Sequence, residues 1–200
     1  THRGMGLRPQ AHSRDDPFSA IDGTARAVRS NGVRGCWGNG KMSIRIAVLG
    51  PNKCSKSEYE WGVAVGSELA RRGCVIICGG LGGMMEAAAK GAKSEGGMTV
   101  GILPNASADD ANAYIDVPIP TGLGAFRNML VVQSADAVIA IKGKYGTLSE
   151  IAFALRLGVP VIGLNTWTIS RGGKTDPGIH VAKTPREAVE MAVKKARAAS

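Results

Sequence analysis

Two hundred residues, 44% apolar and 20% charged, are enough for one domain with a single sizeable core. No apolar run approaches the ~20 residues needed to span a bilayer, so the expectation is a soluble, cytoplasmic protein with no membrane partner. The net charge of +9 is uneven, since residues 1–41 hold seven Lys/Arg against three Asp; with neither an RNP-type aromatic motif nor a Cys/His finger, nucleic acid is not an expected partner.

Residues 1–41 show no lasting period and are rich in Gly, Arg and Ser, which reads as a disordered or extraneous leader. Asp15, Asp16 and Asp22 argue against an organellar transit peptide. Met42 begins MSIRIAVLG, and the folded domain is expected over 42–200. From there strands and helices alternate. IRIAVLG (44–50) is an apolar, β-branched run ending in Gly, which predicts a buried strand. Trp61, Val65 and Leu69 have helical spacing within Lys56–Arg72, and Gly73 stops the helix. CVIIC (74–78) predicts a second strand, followed by GGLGG and the helix MMEAAAKGAKSEG; MTVGILP (98–104) predicts a third strand. A polar segment then connects through IDVPIP to a helix in TGLGAFRNMLVVQSA. DAVIAIK (136–142) is another strand, with a helix from about Thr147 to Leu157 behind it, and VPVIGL (159–164) one more. His180 to Ala182 reads as a short edge strand, and Pro185 opens a last helix to about Arg197.

Alternation of this kind requires crossovers. It predicts an α/β, Rossmann-like, doubly wound fold: a mostly parallel sheet with helices on both faces. Such sheets hold ligands at the carboxyl ends of their strands, where strand order reverses. The four cysteines, Cys36, Cys54, Cys74 and Cys78, include no C-x-x-C pair. Cys74 and Cys78 bracket an apolar run and read as small buried hydrophobes. His180 is the only histidine after residue 12. No metal site or disulfide framework is therefore expected, and a reducing compartment fits.

Glycine gathers in the loops after these strands. GPNKCSKS (50–57) has the Lys and Ser of a P-loop at Lys56 and Ser57, but Ser55 stands where the pattern needs Gly. It remains a loop suited to a nucleotide's polar edge. CGGLGGMME (78–86) is too compact for G-x-G-x-x-G; its glycines either admit a ligand to the helix starting near Met84 or make a tight turn. TGLGAFRN (121–128) puts Arg127 in the first turns of a helix, against the dipole, which points to an acidic ligand or a buried carboxylate. In KGKYGTLSE (142–150), Thr147 and Glu150 have the spacing of a capping box. Alternatively Lys142, Lys144 and the N–H groups of Tyr145 to Leu148 cradle a phosphate, with Glu150 at most one turn into the helix. The two roles can coexist.

Together these loops resemble the Lonely Guy family of cytokinin-activating phosphoribohydrolases, also described as lysine decarboxylase-like, over roughly Ile44 to Val193. The resemblance rests on GGxxGxM, here Gly79, Gly80, Gly83 and Met85, and on PGGxGTxxE, here KGKYGTLSE. Arg127 precedes Glu150 by the twenty-three residues that separate the family's arginine and glutamate. It implies a homodimer that binds a nucleoside 5′-monophosphate and hydrolyses its N-glycosidic bond to free base and ribose 5-phosphate, with no cofactor or metal required. Gly143, Lys144, Tyr145, Gly146 and Thr147 would then hold the phosphate. Glu150 would stabilise the ribosyl cation or orient water, and Arg127 would position the phosphate or the glutamate. A preorganised carboxylate suits a reaction that builds positive charge at the anomeric carbon.

The departures are specific. Lys142 replaces the family's Pro, Lys144 its second Gly, and Glu86 follows Met85 where the plant form has Gly. The first loop is also one residue shorter. These changes lead toward a branch whose members resemble molybdenum-cofactor carriers, which bind a phosphorylated pterin and catalyse nothing. A third reading, by likeness to a DNA-processing protein that binds single strands, would need a basic groove with stacking aromatics.

Overall fold

The computed structural model describes residues 43–199; the leader expected over 1–41, and Cys36 with it, lies outside them. Seven strands form one parallel sheet: β1 (Arg45–Leu49), β2 (Val75–Cys78), β3 (Thr99–Leu103), β4 (Val117–Pro120), β5 (Ala137–Ile141), β6 (Val161–Leu164) and β9 (Ile179–Ala182). Their order is β4-β3-β2-β1-β5-β6-β9. Two short strands, β7 (Ser170–Arg171) and β8 (Lys174–Thr175), pair separately as an antiparallel hairpin. The helices are α1 (Lys56–Arg71), α2 (Met84–Ser94), α3 (Arg127–Gln133), α4 (Tyr145–Arg156) and α5 (Pro185–Ala199). This is the doubly wound, Rossmann-like arrangement expected from the sequence.

The period-two alternation of the strands divides the core in two. Ile46, Val48, Ile139 and Ile141 meet Val65 and Leu69 of α1, Met84 and Ala88 of α2, and Val189 of α5. Ala47, Leu49, Val138 and Ala140 face the other way, toward Val131 and Val132 of α3 and Ile151 and Ala154 of α4. Both faces of the central strands are thus buried, which is why they read as continuous apolar runs. At the opposite end of β1 from the glycine loops, Arg45 clamps the sheet: its Nη2 and Nε donate to the two carboxylate oxygens of Asp136, at 2.7 and 3.2 Å. Strand order reverses between β1 and β5, so the loops after these two strands border the crevice where such folds bind ligands.

Three boundaries differ from the sequence reading. IDVPIP is not only a connection, because Val117–Pro120 pairs in parallel with β3 as an edge strand, the position that tolerates its two prolines. Asp116 fixes it there by accepting from the Thr99 backbone N–H at 2.9 Å and from Lys93 at 2.6 Å. The helix after TGLGA begins only at Arg127, behind a 3₁₀ turn at Gly124–Phe126. Helix α4 starts two residues early, at Tyr145. His180 does lie on an edge strand, β9. Among the described residues no helix is long and apolar enough to cross a membrane.

Candidate functional site

Helix α4 carries most of the expected site, and its start is set by the turn before it. Lys142 has φ 54° and Gly143 φ 104°, so the chain reverses immediately after β5. A Cβ on Gly143 would run into the Thr147 side chain, so only glycine fits. Lys144 is then the N-cap, with no side-chain capping bond. The capping box proposed for Thr147 and Glu150 is therefore not formed: both lie inside the helix, and Glu150 is its sixth residue, beyond one turn. Leu148 N–H donates to Lys144 O at 3.0 Å, which removes it from the expected phosphate cradle. Helix geometry leaves the N–H groups of Tyr145, Gly146 and Thr147 without an intrahelical acceptor. No acidic residue stands in this first turn, and Lys142 and Lys144 flank it.

The N-termini of α1 and α2 are less available to an anion. Ser55, the residue that spoils the P-loop pattern, is the N-cap of α1 and forms a true capping box with Glu58. Its backbone N–H donates to Glu58 Oε2 at 2.9 Å, and Glu58 N–H returns to Ser55 Oγ at 3.3 Å. At α2, Met84 N–H is spent on Pro51 O at 3.0 Å, and Glu86 occupies the first turn. Gly80 and Gly83 shape this loop: Gly80 O accepts from Asn112 at 3.1 Å, while Gly83 packs against Asn52.

Glu150 and Arg127 are both buried, at 8% and 7% exposure. Thr147 and Glu150, three residues apart, share the buried face of α4. Arg127, first residue of α3, reaches under the β2 loop, where a Cβ on Gly79 would strike its guanidinium and, at 2.6 Å, Met85 Sδ. Gly79 is thus glycine because an arginine occupies its side-chain space. Among the described residues, Arg127 Nε and Nη1 are buried with no hydrogen-bond partner. Burial drives the Arg127 pKa down, partly opposed by the Glu150 carboxylate. Burial also raises Glu150 to about 7, with Arg127 pulling the other way. The pair senses each other, yet desolvation dominates both. The geometry thus brings Gly79, Met85 and Arg127 together, with Glu150 near enough for its charge to act on Arg127. Cys78, beneath them, is pushed by burial up to about 11, consistent with an inert core thiol.

A cleft of about 470 Å³ opens at the ends of β1, β5 and β6. Lys142, Gly143 and Lys144 line it together with Lys53, Glu58 and a segment without a recognisable motif, Asn165 to Thr168. Arg127 and Glu150 do not. The sequence offered one hint of the first-loop contribution, in the polar GPNKCSKS, and none of Trp167. Among the described residues no cluster of three His, Cys, Asp or Glu side chains is placed to hold a metal ion.

Comparison with known proteins places this geometry in a family. The SLOG cluster4 family profile matches residues 43–189. A protein of Archaeoglobus fulgidus is 43% identical over 150 residues, spanning 75% of this chain and 95% of its own. The solved structure of the molybdenum cofactor binding protein from the phototrophic bacterium Rippkaea orientalis is 32% identical, with a TM-score of 0.69 over 76% of this chain and 97% of that one. The molybdenum cofactor carrier protein of Chlamydomonas reinhardtii is 31% identical, with a TM-score of 0.67 over 78% and 99%. These likenesses fall in the superfamily, and on the carrier branch, to which the sequence motifs point.

Proposed function

The chain belongs to the SLOG cluster4 family, and from that premise we propose that it is a non-catalytic carrier of a phosphorylated pterin of the molybdenum-cofactor kind. The observation that carries this reading is Arg127, a buried guanidinium with two nitrogens that lack a hydrogen-bond partner among the described residues, in the field of a carboxyl group that burial tends to neutralise. Such a group is costly unless an anion completes it. The phosphate is held at the first turn of α4, by the free N–H groups of Tyr145, Gly146 and Thr147 and by Lys142 and Lys144. Relatives that bind the molybdenum cofactor at 31% and 32% identity support the choice of ligand.

The alternative, hydrolysis of a nucleoside 5′-monophosphate, draws on Glu150. Two features weigh against it. A carboxyl raised to about 7 gives up much of the negative charge that a ribosyl cation needs. The turn at Lys142 also takes a backbone path closed to the proline of the hydrolase motif. A homodimer belongs to the same proposal: Leu123, Phe126 and Met129 form exposed apolar surface around the start of α3, with Phe126 84% exposed.

Equilibrium dialysis of the full chain against 6-hydroxymethylpterin phosphate and its unphosphorylated parent tests the reading. At least tenfold preference for the phosphorylated compound, recovered unaltered, is expected. Equal affinity for the two contradicts it.

A further inference from the structure

We propose that the cleft at the ends of β1, β5 and β6 is the subsite for the ligand's planar heteroaromatic ring, with the Trp167 indole as its wall; this rests on the carrier reading above. The cleft volume, about 470 Å³, suits one heterocycle with its phosphate arm. The motif turn supplies Gly143 and Lys144 to its lining, so a phosphate held at the start of α4 has this cleft beside it. Trp167 is half-buried, and its Nε1–H donates to Lys144 O at 3.3 Å, which fixes the indole relative to that turn. The Tyr145 ring lies 5.7 Å away, centroid to centroid, tilted by 36°. An indole held in place, with a tyrosine packed beside it, offers a stacking surface whose affinity comes from the ring's π-face rather than from base-specific hydrogen bonds.

Charge and backbone point to the same ligand class. Lys53, Lys142 and Lys144 line the cleft against a single acid, Glu58, which Lys142 Nζ approaches at 3.9 Å. A planar anion suits that balance. Among the described residues only two non-glycine residues have positive φ, Lys142 at 54° and Asn165 at 51°, and both line this cleft. Left-handed backbone at a lysine is strained and persists only where neighbours over-determine it. Here Lys142 N–H donates to Leu164 O at 3.2 Å, and the Thr166 hydroxyl donates to Lys142 O. The ends of β5 and β6 are therefore locked in the shape that forms the cleft wall.

The test is titration of the full chain with 6-hydroxymethylpterin phosphate and with inorganic phosphate, in wild type, Trp167→Ala, Trp167→Phe and Arg127→Met. Stacking on an aromatic side chain predicts that Trp167→Ala lowers the ratio of pterin-phosphate to inorganic-phosphate affinity roughly tenfold. Trp167→Phe, which keeps a π-face and most of the packing, should restore most of the ratio. An unchanged ratio in Trp167→Ala, with pterin-phosphate binding lost in Arg127→Met, overturns the subsite while leaving the carrier reading intact. No pterin-phosphate binding by wild type overturns both.

Discussion

At the scale of single residues, Arg127 and Glu150 are two buried ionisable groups whose burial penalties exceed their mutual attraction. Because Glu150 titrates at about 7 in the fold against an ordinary 4.5, the folded protein holds its proton more tightly than the unfolded chain does. The resulting stability is full below pH 4.5 and is lost as pH rises through about 7. Glu150→Gln mimics the protonated side chain and removes that loss. Thermal melts should therefore coincide at pH 4.5, with the variant more stable at pH 8 by up to about 3 kcal/mol. Parallel pH profiles would rule out the buried carboxyl. Arg127→Met has a complementary signature. Replacing a guanidinium that has two buried nitrogens without hydrogen-bond partners among the described residues by an apolar chain of similar length should leave stability unchanged or raised. Binding of phosphorylated ligand should fall at least tenfold, because charge-assisted hydrogen bonds are lost. A variant that binds normally removes Arg127 from the site. Its spacing from Glu150 was legible in the sequence; its seat against Gly79 was not, since that contact joins loops 48 residues apart in sequence (79 to 127).

Among the elements, α4 and the turn before it separate this chain from the hydrolase pattern. The S/T-x-x-E spacing of Thr147 and Glu150 suggests a helix start, but it cannot show that Lys142 and Gly143 turn the chain two residues sooner. The earlier start places Glu150 on a buried face instead of at a cap. Conversely, the capping box that does form, Ser55 with Glu58, sits where the P-loop pattern failed. Sequence spacing alone does not rank two such candidates. The conformation of the turn is itself testable. Lys142→Pro cannot adopt φ 54° and deletes the N–H bonded to Leu164 O, and should cost about 3 kcal/mol. Lys142→Gly relieves the left-handed strain and should be neutral or stabilising. Chemical denaturation of the two variants decides, and equal stabilities would mean the turn is not held as described. Asn165 to Thr168 escaped the sequence reading for a related reason. Their role arises from the parallel pairing of β6 with β5, which brings two loop starts side by side without any shared motif.

For the whole molecule, the fold was the most legible part. Apolar runs buried on both faces and glycine at strand ends suffice to specify a doubly wound sheet, and strand order then locates the crevice. Strand β4 was missed because an edge strand with two prolines lacks the apolar continuity of the inner strands. Ligand choice is less legible, since the same fold hosts binding and catalysis on nearly the same loops. The distinction rests on small features: a lysine where the hydrolase motif has proline, a carboxyl raised toward neutrality, and two guanidinium nitrogens of Arg127 with no hydrogen-bond partner among the described residues. On the proposed reading, this constellation holds a phosphorylated ligand without breaking it. The most direct measurement incubates the full chain with AMP and with 6-hydroxymethylpterin phosphate, following bound ligand by thermal shift and products by chromatography. A carrier should be stabilised by the pterin phosphate, return it intact, and release no adenine from AMP. Adenine release that disappears in Glu150→Gln would contradict it and make the protein a phosphoribohydrolase.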